Sequence, residues 1–254
     1  LGQIFLKDSS TVHKMVLSLN LDSRDLVVEV GPGMGALTKR VSELAGKVFA
    51  VEFDKRLIDG LKKSFENTNV TVVDANILDW LPAFRLPANY LEFKIIGSLP
   101  YYITSPILHT ITKLKQPPSI GVFLVQKEVA EKICEFPPDS SYLSSYVQTF
   151  YDVEYLGKVS KEFFEPVPKV DGGIIKLTKK IYEQISYDEM FKYEKFLHRC
   201  YLSPRKMLNK VFSKAELDMC RIDGNLRAQN LSSQDWLGIF KTLSSLHSLS
   251  SSSD

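Results

Sequence analysis

Short apolar runs rich in β-branched residues alternate with amphipathic stretches along the first hundred residues, and that order predicts strands and helices in turn. A helix is expected over roughly Ser10–Leu19. Strands follow at Asp25–Val30, Lys47–Glu52 and Val70–Val73, with helices at Leu37–Leu44 and Leu57–Phe65 between them. A further apolar run, Phe93–Gly97, ends on Ser98-Leu99-Pro100-Tyr101-Tyr102. This is the pattern of a doubly wound α/β domain. Beyond about Lys180 strand alternation stops, and Tyr187–Leu202, Lys206–Phe212 and Ser232–Leu246 are helix-like. The expected division is therefore an α/β domain over 1–180 and a small helical domain over 181–254. Ser232-Ser233-Gln234-Asp235 before Trp236 has the composition of a helix N-cap, and the Ser-rich end Ser244–Asp254 is expected to be disordered.

The first strand runs directly into Gly31-Pro32-Gly33-Met34-Gly35-Ala36. Glycine at such a turn accepts positive φ and lets a ligand approach bare backbone, while the helix that opens near Ala36 points free N–H groups the same way. Gly31, Gly33 and Ala36 also satisfy the dinucleotide pattern G-x-G-x-x-G/A, and Glu52 lies about 20 residues on, where a carboxylate would accept ribose hydroxyl protons. The turn thus announces a nucleoside cofactor without saying which. Asp74, closing the next strand, is placed to accept from an exocyclic amine or to cap a turn. In the Ser98–Tyr102 segment the proline directs the Ser98 oxygens and the Tyr101 ring toward one pocket, where a planar base could stack.

Composition narrows the class. The chain has 254 residues, 44% of them hydrophobic, enough for one sizeable core and a small second domain. Cys134, Cys200 and Cys220 are odd in number and widely spaced, which suggests neither a disulfide framework nor a zinc site, and no metal is expected. No apolar run reaches the ~20 residues of a membrane span. A cytoplasmic location is expected, and the start at Leu1 leaves room for a removed organellar leader. Net charge is only +2, but Lys192–Lys214 holds seven basic residues against one acid, Glu194, with Tyr193, Phe196 and Tyr201 interleaved. That composition suits RNA phosphates.

Taken together, the glycine loop and Ser98-Leu99-Pro100-Tyr101 resemble the KsgA/Dim/Erm family of S-adenosylmethionine-dependent rRNA adenine-N6 dimethyltransferases, closest to the KsgA type. Leu1-Gly2-Gln3 with Phe5-Leu6 is similar to its leading motif, Val125-Gln126-Lys127-Glu128-Val129-Ala130 to its Q-K-E-V-A helix, and Phe164–Asp171 to its F-x-P-x-P-K-V-D loop. Ser203-Pro204-Arg205-Lys206 and Arg227-Ala228-Gln229-Asn230-Leu231 have counterparts in its tail. The resemblance implies a class I, Rossmann-like methyltransferase domain, with a mostly parallel seven-stranded sheet and helices on both faces, followed by a small all-helical domain. Gln3 and the Gly31, Gly33 and Gly35 loop would hold the methionine part of S-adenosyl-L-methionine, Glu52 the ribose and Asp74 the adenine amine. Leu6, Glu29, Phe53, Ala75 and Ser98 would complete the cofactor site. Ser98, Leu99, Pro100 and Tyr101 would cradle the target adenine, with Phe164 on its other face, and Lys169, Arg205, Lys206 and Lys210 would meet RNA. The partner implied is ribosomal RNA within an assembling small ribosomal subunit, met by a monomer. One departure is plain: the family's usual asparagine is here Ser98. Competing readings are an Erm-type enzyme acting on large-subunit RNA, a non-catalytic nucleic-acid-binding factor derived from the family, and a nicotinamide-dependent dehydrogenase, in which the Leu99-Pro100-Tyr101 turn has no role.

Overall fold

A computed structural model of the protein describes residues 4–181 and 185–250. Its elements run β1 (Phe5–Leu6), α1 (Ser9–Ser18), β2 (Leu26–Val30), α2 (Ala36–Ser42), β3 (Lys47–Glu52), α3 (Lys55–Ser64), β4 (Val70–Asp74), α4 (Ile77–Ala83), β5 (Lys94–Ser98) and α5 (Thr104–Thr112). Then come β6 (Ile120–Gln126), α6 (Lys127–Cys134), α7 (Tyr142–Phe150), β7 (Tyr151–Val159), β8 (Phe164–Glu165), β9 (Gly172–Lys179), α8 (Met190–Tyr201), α9 (Lys214–Cys220) and α10 (Ser233–Ser250).

Seven strands form one sheet in the order β4-β3-β2-β5-β6-β9-β7. Strands β4 through β6 in that row are parallel, and β9 is antiparallel to β6. Period-two alternation explains why the strands read as continuous apolar runs. Val27, Ile96 and Val122 join Met15 and Val16 of α1 and Val41 of α2 in one core cluster. Their neighbours Val28, Ile95 and Phe123, which point to the opposite face, are also fully buried, so helices cover both faces. The strand order reverses between β2 and β5. Loops after these two strands therefore diverge to opposite sides and leave a crevice at their carboxyl ends.

The chain divides into two compact units. One comprises Leu1–Glu131 with Asp152–Lys179, and the other Lys132–Tyr151 with Lys180–Asp254. The segment Lys132–Tyr151, which the sequence reading grouped with the α/β part, thus belongs to the helical unit. Within that unit Tyr193 and Trp236 are fully buried, and the Trp236 Nε1–H donates to the Tyr201 hydroxyl at 3.1 Å. The Tyr201 hydroxyl in turn donates to the Ala228 carbonyl at 3.1 Å.

Several boundaries differ from expectation for local reasons. Val125 and Gln126 finish β6, and the expected Q-K-E-V-A helix starts only at Lys127. Lys206–Phe212 forms a single 3₁₀ turn, Leu208–Lys210, rather than a helix. Its amides are spent elsewhere: Leu208 N–H donates to the Leu226 carbonyl at 2.8 Å and Asn209 N–H to Gly224 at 2.9 Å. Tyr187–Glu189 is likewise a 3₁₀ turn that precedes α8. The Ser232 cap is present, since Ser232 N–H donates to Asp235 Oδ2 at 2.8 Å and Asp235 N–H to Ser232 Oγ at 3.1 Å. Helix α10 then continues to Ser250, so residues 244–250 are helical rather than the disordered end that their serine content suggests.

Candidate active site

A cavity of about 590 Å³ opens at the carboxyl ends of β2, β3 and β5. That is the size range of small-ligand sites. Gly31, Gly33, Glu52, Phe53, Ala75, Ser98, Leu99, Pro100, Phe164 and Leu6 all line it, so the structure brings most of the residues singled out in the sequence around one space. Residues the sequence reading did not single out as binding also line it, among them Met34, Asn76, Tyr102 and Pro168. Met34 and Pro168 lie inside motifs already quoted, the glycine loop and Phe164–Asp171, while Asn76 and Tyr102 stand within two residues of Asp74 and Tyr101.

The loop after β2 has positive φ at Gly31 (64°), Gly33 (59°) and Gly35 (83°). A Cβ added at Gly31 would meet nothing within 4 Å, so its backbone faces open space in the cavity, and only glycine takes that φ without strain. Gly35 does not line the cavity. It turns the chain into α2, and a Cβ there would come within 2.9 Å of the Phe65 ring.

Glu52 ends β3 almost fully buried. Its Oε1 accepts from the Phe53 N–H at 2.9 Å and the Asp54 N–H at 2.8 Å, and its Oε2 accepts from the Gly33 N–H at 3.1 Å. One carboxylate thus ties the glycine loop to the turn after β3, with charge-assisted bonds that hold it in one orientation. Beyond it, Asp54 caps α3 by accepting from the Arg56 N–H at 3.0 Å, and the Arg56 guanidinium holds the Asp54 carboxyl well below its usual range, at about 2. Asn76 caps α4 through the Leu78 N–H at 3.1 Å.

Two acids stand apart from the cavity. Asp74 is exposed at the end of β4, and the cavity wall there is made by Ala75, Asn76, Ile77 and Leu78 instead. Asp74 pairs with Glu52 across β3 and β4 at the ends of both strands, and its side chain is left in solvent while the four residues after it form the wall. Glu29 lies inside β2 on the same face as Val27, and is fully buried. Gln3 and the side chain of Tyr101 lie outside the described atoms. Tyr101 begins the 3₁₀ turn Tyr101–Ile103, held by the Ile103 N–H donating to the Pro100 carbonyl at 3.0 Å.

Neither oxygen of Glu29 nor the Thr38 hydroxyl has a hydrogen-bond partner among the described residues. Burial pushes the Glu29 carboxyl up to about 7, the Glu52 charge adds to the rise, and Thr38 pulls the other way. The ordinary value is 4.5, so between about pH 4.5 and pH 7 the folded chain holds more of this proton than the unfolded chain. Stability contributed by the neutral form is present below pH 4.5 and is lost as pH rises through 7. Glu29→Gln, which cannot ionise, is expected to gain on the wild type by up to about 3 kcal/mol between pH 4.5 and pH 8. Denaturant titrations at both pH values measure the gain. A stability difference that does not vary with pH would mean that Glu29 does not titrate in this window.

At β5, Ser98 is the last strand residue, and Leu99 N–H donates to the Leu124 carbonyl at 2.9 Å, which fixes the turn into Pro100. Ser98 is half-buried at the cavity wall, and Pro100 is exposed beside it. Phe164, in β8, pairs with Leu6 of β1 and is only 7% exposed, so it belongs to the apolar core cluster as well as to the cavity wall. The loop that follows is tied by Asp171, which accepts from Lys158 Nζ at 2.8 Å and from the Lys161 N–H at 3.0 Å. Lys169, Arg205, Lys206 and Lys210 are all exposed. The aromatic residues among the basic ones are not available in the same way, because Tyr193 is fully buried and Phe196 packs edge-on against Trp236 at 5.9 Å. Among the described residues no cluster of three or more His, Cys, Asp or Glu could hold a metal ion, and no helix is long and apolar enough to cross a membrane.

Residues 1–245 match the family described as ribosomal RNA adenine dimethylase. Ribosomal RNA small subunit methyltransferase A of Sulfurihydrogenibium sp. is 33% identical over 244 residues, covering 94% of this chain and 93% of that protein. The protein of the same name from Mycoplasmopsis pulmonis is 35% identical, covering 95% and 97%. Among solved structures, the 23S rRNA methyltransferase ErmE superposes with a TM-score of 0.75 at 26% identity, over 94% of this chain and 99% of that one. A dimethyladenosine transferase from Plasmodium falciparum shares the fold at a TM-score of 0.78 and 24% identity, over 95% and 98%.

Proposed function

This chain belongs to the ribosomal RNA adenine dimethylase family, and we propose that it transfers methyl groups from S-adenosyl-L-methionine to N6 of adjacent adenosines in small-subunit ribosomal RNA. The observation that carries this reading is the meeting of three features on one cavity: the open backbone at Gly31, the buried Glu52 carboxylate and the Ser98-Leu99-Pro100 turn. A nucleoside cofactor fits these donors and acceptors. The residues proposed to hold it are Leu6, Gly31, Gly33, Glu52, Phe53 and Ala75, with Asn76 taking the place at the wall expected of Asp74 and Gln3 closing the site from the N-terminal motif.

When bound, S-adenosyl-L-methionine supplies an electrophilic methyl group on a sulfonium. Everything else is positioning. Gly31 and Gly33 present backbone without side chains, and Glu52 accepts hydrogen bonds from the ribose hydroxyls. Ser98 Oγ and the carbonyl of Leu99 or Pro100 accept from the adenine N6 protons and draw its lone pair out of conjugation toward the methyl carbon. Tyr101 and Phe164 offset the cost of taking the base out of its stack, a few kcal/mol. Apolar walls at Ile4, Phe5 and Leu37 exclude water from the reacting atoms. Glu29, Gly35 and Asp74 are proposed to act through the fold around the site rather than by touching the cofactor. Lys169, Arg205, Lys206 and Lys210 are proposed to meet RNA phosphates as a monomer engages an assembling small subunit.

Mass spectrometry of digested ribosomal RNA from cells with and without the protein tests the assignment. The expected result is N6,N6-dimethyladenosine missing from small-subunit RNA in the deletion strain. Loss from large-subunit RNA instead would make the enzyme Erm-like, and an unchanged methylation map would leave a non-catalytic RNA-binding factor.

A further inference from the structure

Three large side chains line the cavity and yet stand mostly in solvent: Met34 at 73% exposure, Phe53 at 66% and Tyr102 at 75%. Met34 lies within the glycine loop and Phe53 directly follows Glu52, on the side assigned to the cofactor. Tyr102 lies four residues past Ser98, on the side assigned to the target base. Among the described residues its ring and hydroxyl have neither a hydrogen-bond nor a ring partner, although an aromatic of this size normally buries its faces or anchors its hydroxyl. The backbone beneath it is well held. Ile103 N–H donates to the Pro100 carbonyl at 3.0 Å, the Ile103 side chain lines the cavity, and Thr104 is buried where α5 begins. The ring is therefore an exposed face carried on a held backbone at the cavity wall, with only two side-chain torsions to order on binding.

We propose that Tyr102 is the stacking platform for the RNA base adjoining the methylated adenosine. The proposal rests on the RNA adenine methyltransferase reading and extends it to a second nucleotide. When an adenosine leaves its stack to enter the cavity, the neighbouring base loses one stacking face at the same moment. That neighbour is tethered by one phosphodiester and so must lie just outside the mouth. An exposed aromatic face replaces the lost contact without regard to base identity, because every base has a π-face. The free hydroxyl at the ring edge can in addition donate to a phosphate oxygen or a ribose 2′-hydroxyl. Tyr102 thus contributes to binding of the flipped-out state, while the groups around N6 act on the chemical step.

The test uses the full-length protein and two versions of a small-subunit rRNA hairpin that carries the adjacent target adenosines, with 2-aminopurine on one side or the other of the pair. Fluorescence is read on binding, and methyl incorporation is measured in the same samples. Stacking on Tyr102 should quench one of the two probes in the wild type and in Tyr102→Phe but not in Tyr102→Ala. For the unlabelled hairpin, Tyr102→Ala should raise KM by roughly 10- to 100-fold, the scale of one lost base–aromatic stack, with the single-turnover rate at saturating RNA retained. Affinity for S-adenosylmethionine by calorimetry should not move, which also reports that the variant is folded. Methylation by all three proteins with the same fluorescence response and the same KM would overturn the role of Tyr102 while leaving the methyltransferase reading intact. A KM unchanged in Tyr102→Phe but a collapsed single-turnover rate in Tyr102→Ala would also overturn it, since the ring would then act in the chemical step. Failure of every form to methylate either hairpin, and equally the same RNA within small subunits isolated from a strain lacking the protein, would overturn both readings.

Discussion

Glu52→Ala is expected to weaken S-adenosylmethionine binding by about 1.5–3 kcal/mol, or roughly 10- to 150-fold in Kd, the scale of hydrogen bonds to a charged acceptor. The loss has two parts. One is the pair of ribose hydroxyls left without an acceptor. The other is local: the same carboxylate takes the N–H groups of Gly33, Phe53 and Asp54, so its removal strands three amides and frees the glycine loop from β3. Glu52→Gln separates them. Its carbonyl oxygen can still accept from the Phe53 and Asp54 N–H groups, while its NH2 then faces the Gly33 N–H, so it should keep two of the three backbone bonds and lose the tie to the glycine loop together with the charge. Calorimetry and thermal unfolding of the two variants decide the matter. Wild-type affinity in a folded Glu52→Ala protein, or tight NAD binding by the wild type, would sink the assignment.

The second large effect is expected at Ser98, where Ser98→Ala should lose about 1–3 kcal/mol of transition-state stabilisation, by analogy with a single lost oxyanion-hole-type group. The side chain stands half-buried at the cavity wall, and its hydroxyl is the only side-chain oxygen in the Ser98-Leu99-Pro100 turn. A hydroxyl is shorter than the carboxamide of an asparagine and has one rotatable acceptor, so it holds one N6 proton while orienting the amine less firmly. After the first transfer one proton remains, and the amine must turn to present its lone pair again. A loosely held intermediate dissociates more often before that happens. Wild-type enzyme should therefore release a larger monomethyl fraction than Ser98→Asn. Single-turnover methylation with digestion and quantification of mono- and dimethyladenosine gives both numbers. Equal rates for Ser98→Ala and wild type would remove Ser98 from the catalytic machinery, and an unchanged product ratio in Ser98→Asn would refute the positioning argument.

Much of the scaffold was legible before any coordinates, because burial on both sheet faces forces long apolar runs into β2, β3 and β5, and because glycine and proline mark the turns that follow them. Lys47–Glu52 has the same bounds in sequence pattern and structure, and the glycine loop, Glu52 and the Ser98 turn do meet on one cavity. Those positions are readable because backbone conformation restricts them to a few residue types. The C-terminal region was less so. Lys206–Phe212 has helical composition, but its Leu208 and Asn209 amides go to Leu226 and Gly224, partners 18 and 15 residues away that no local pattern announces.

Residue roles that depend on which way a strand faces were decided only by packing. Glu29 sits two residues before the glycine loop, and only the alternation of β2 against α2 shows that it points into the core rather than at a ligand. Asp74 is exposed at the end of β4, and Ala75 and Asn76 stand at the wall instead. Tyr193 and Phe196 look, in sequence, like aromatics threaded through a basic surface, yet a helix turns successive residues by about 100°, so the same stretch buries one face and exposes the lysines on the other. The sequence by itself determined the fold class, the glycine turn after β2 and the exposed basic run, since these follow from local conformation and composition. Which acids, aromatics and loop residues reach the cavity was decided by the tertiary structure, because side-chain direction depends on contacts between segments far apart in the chain.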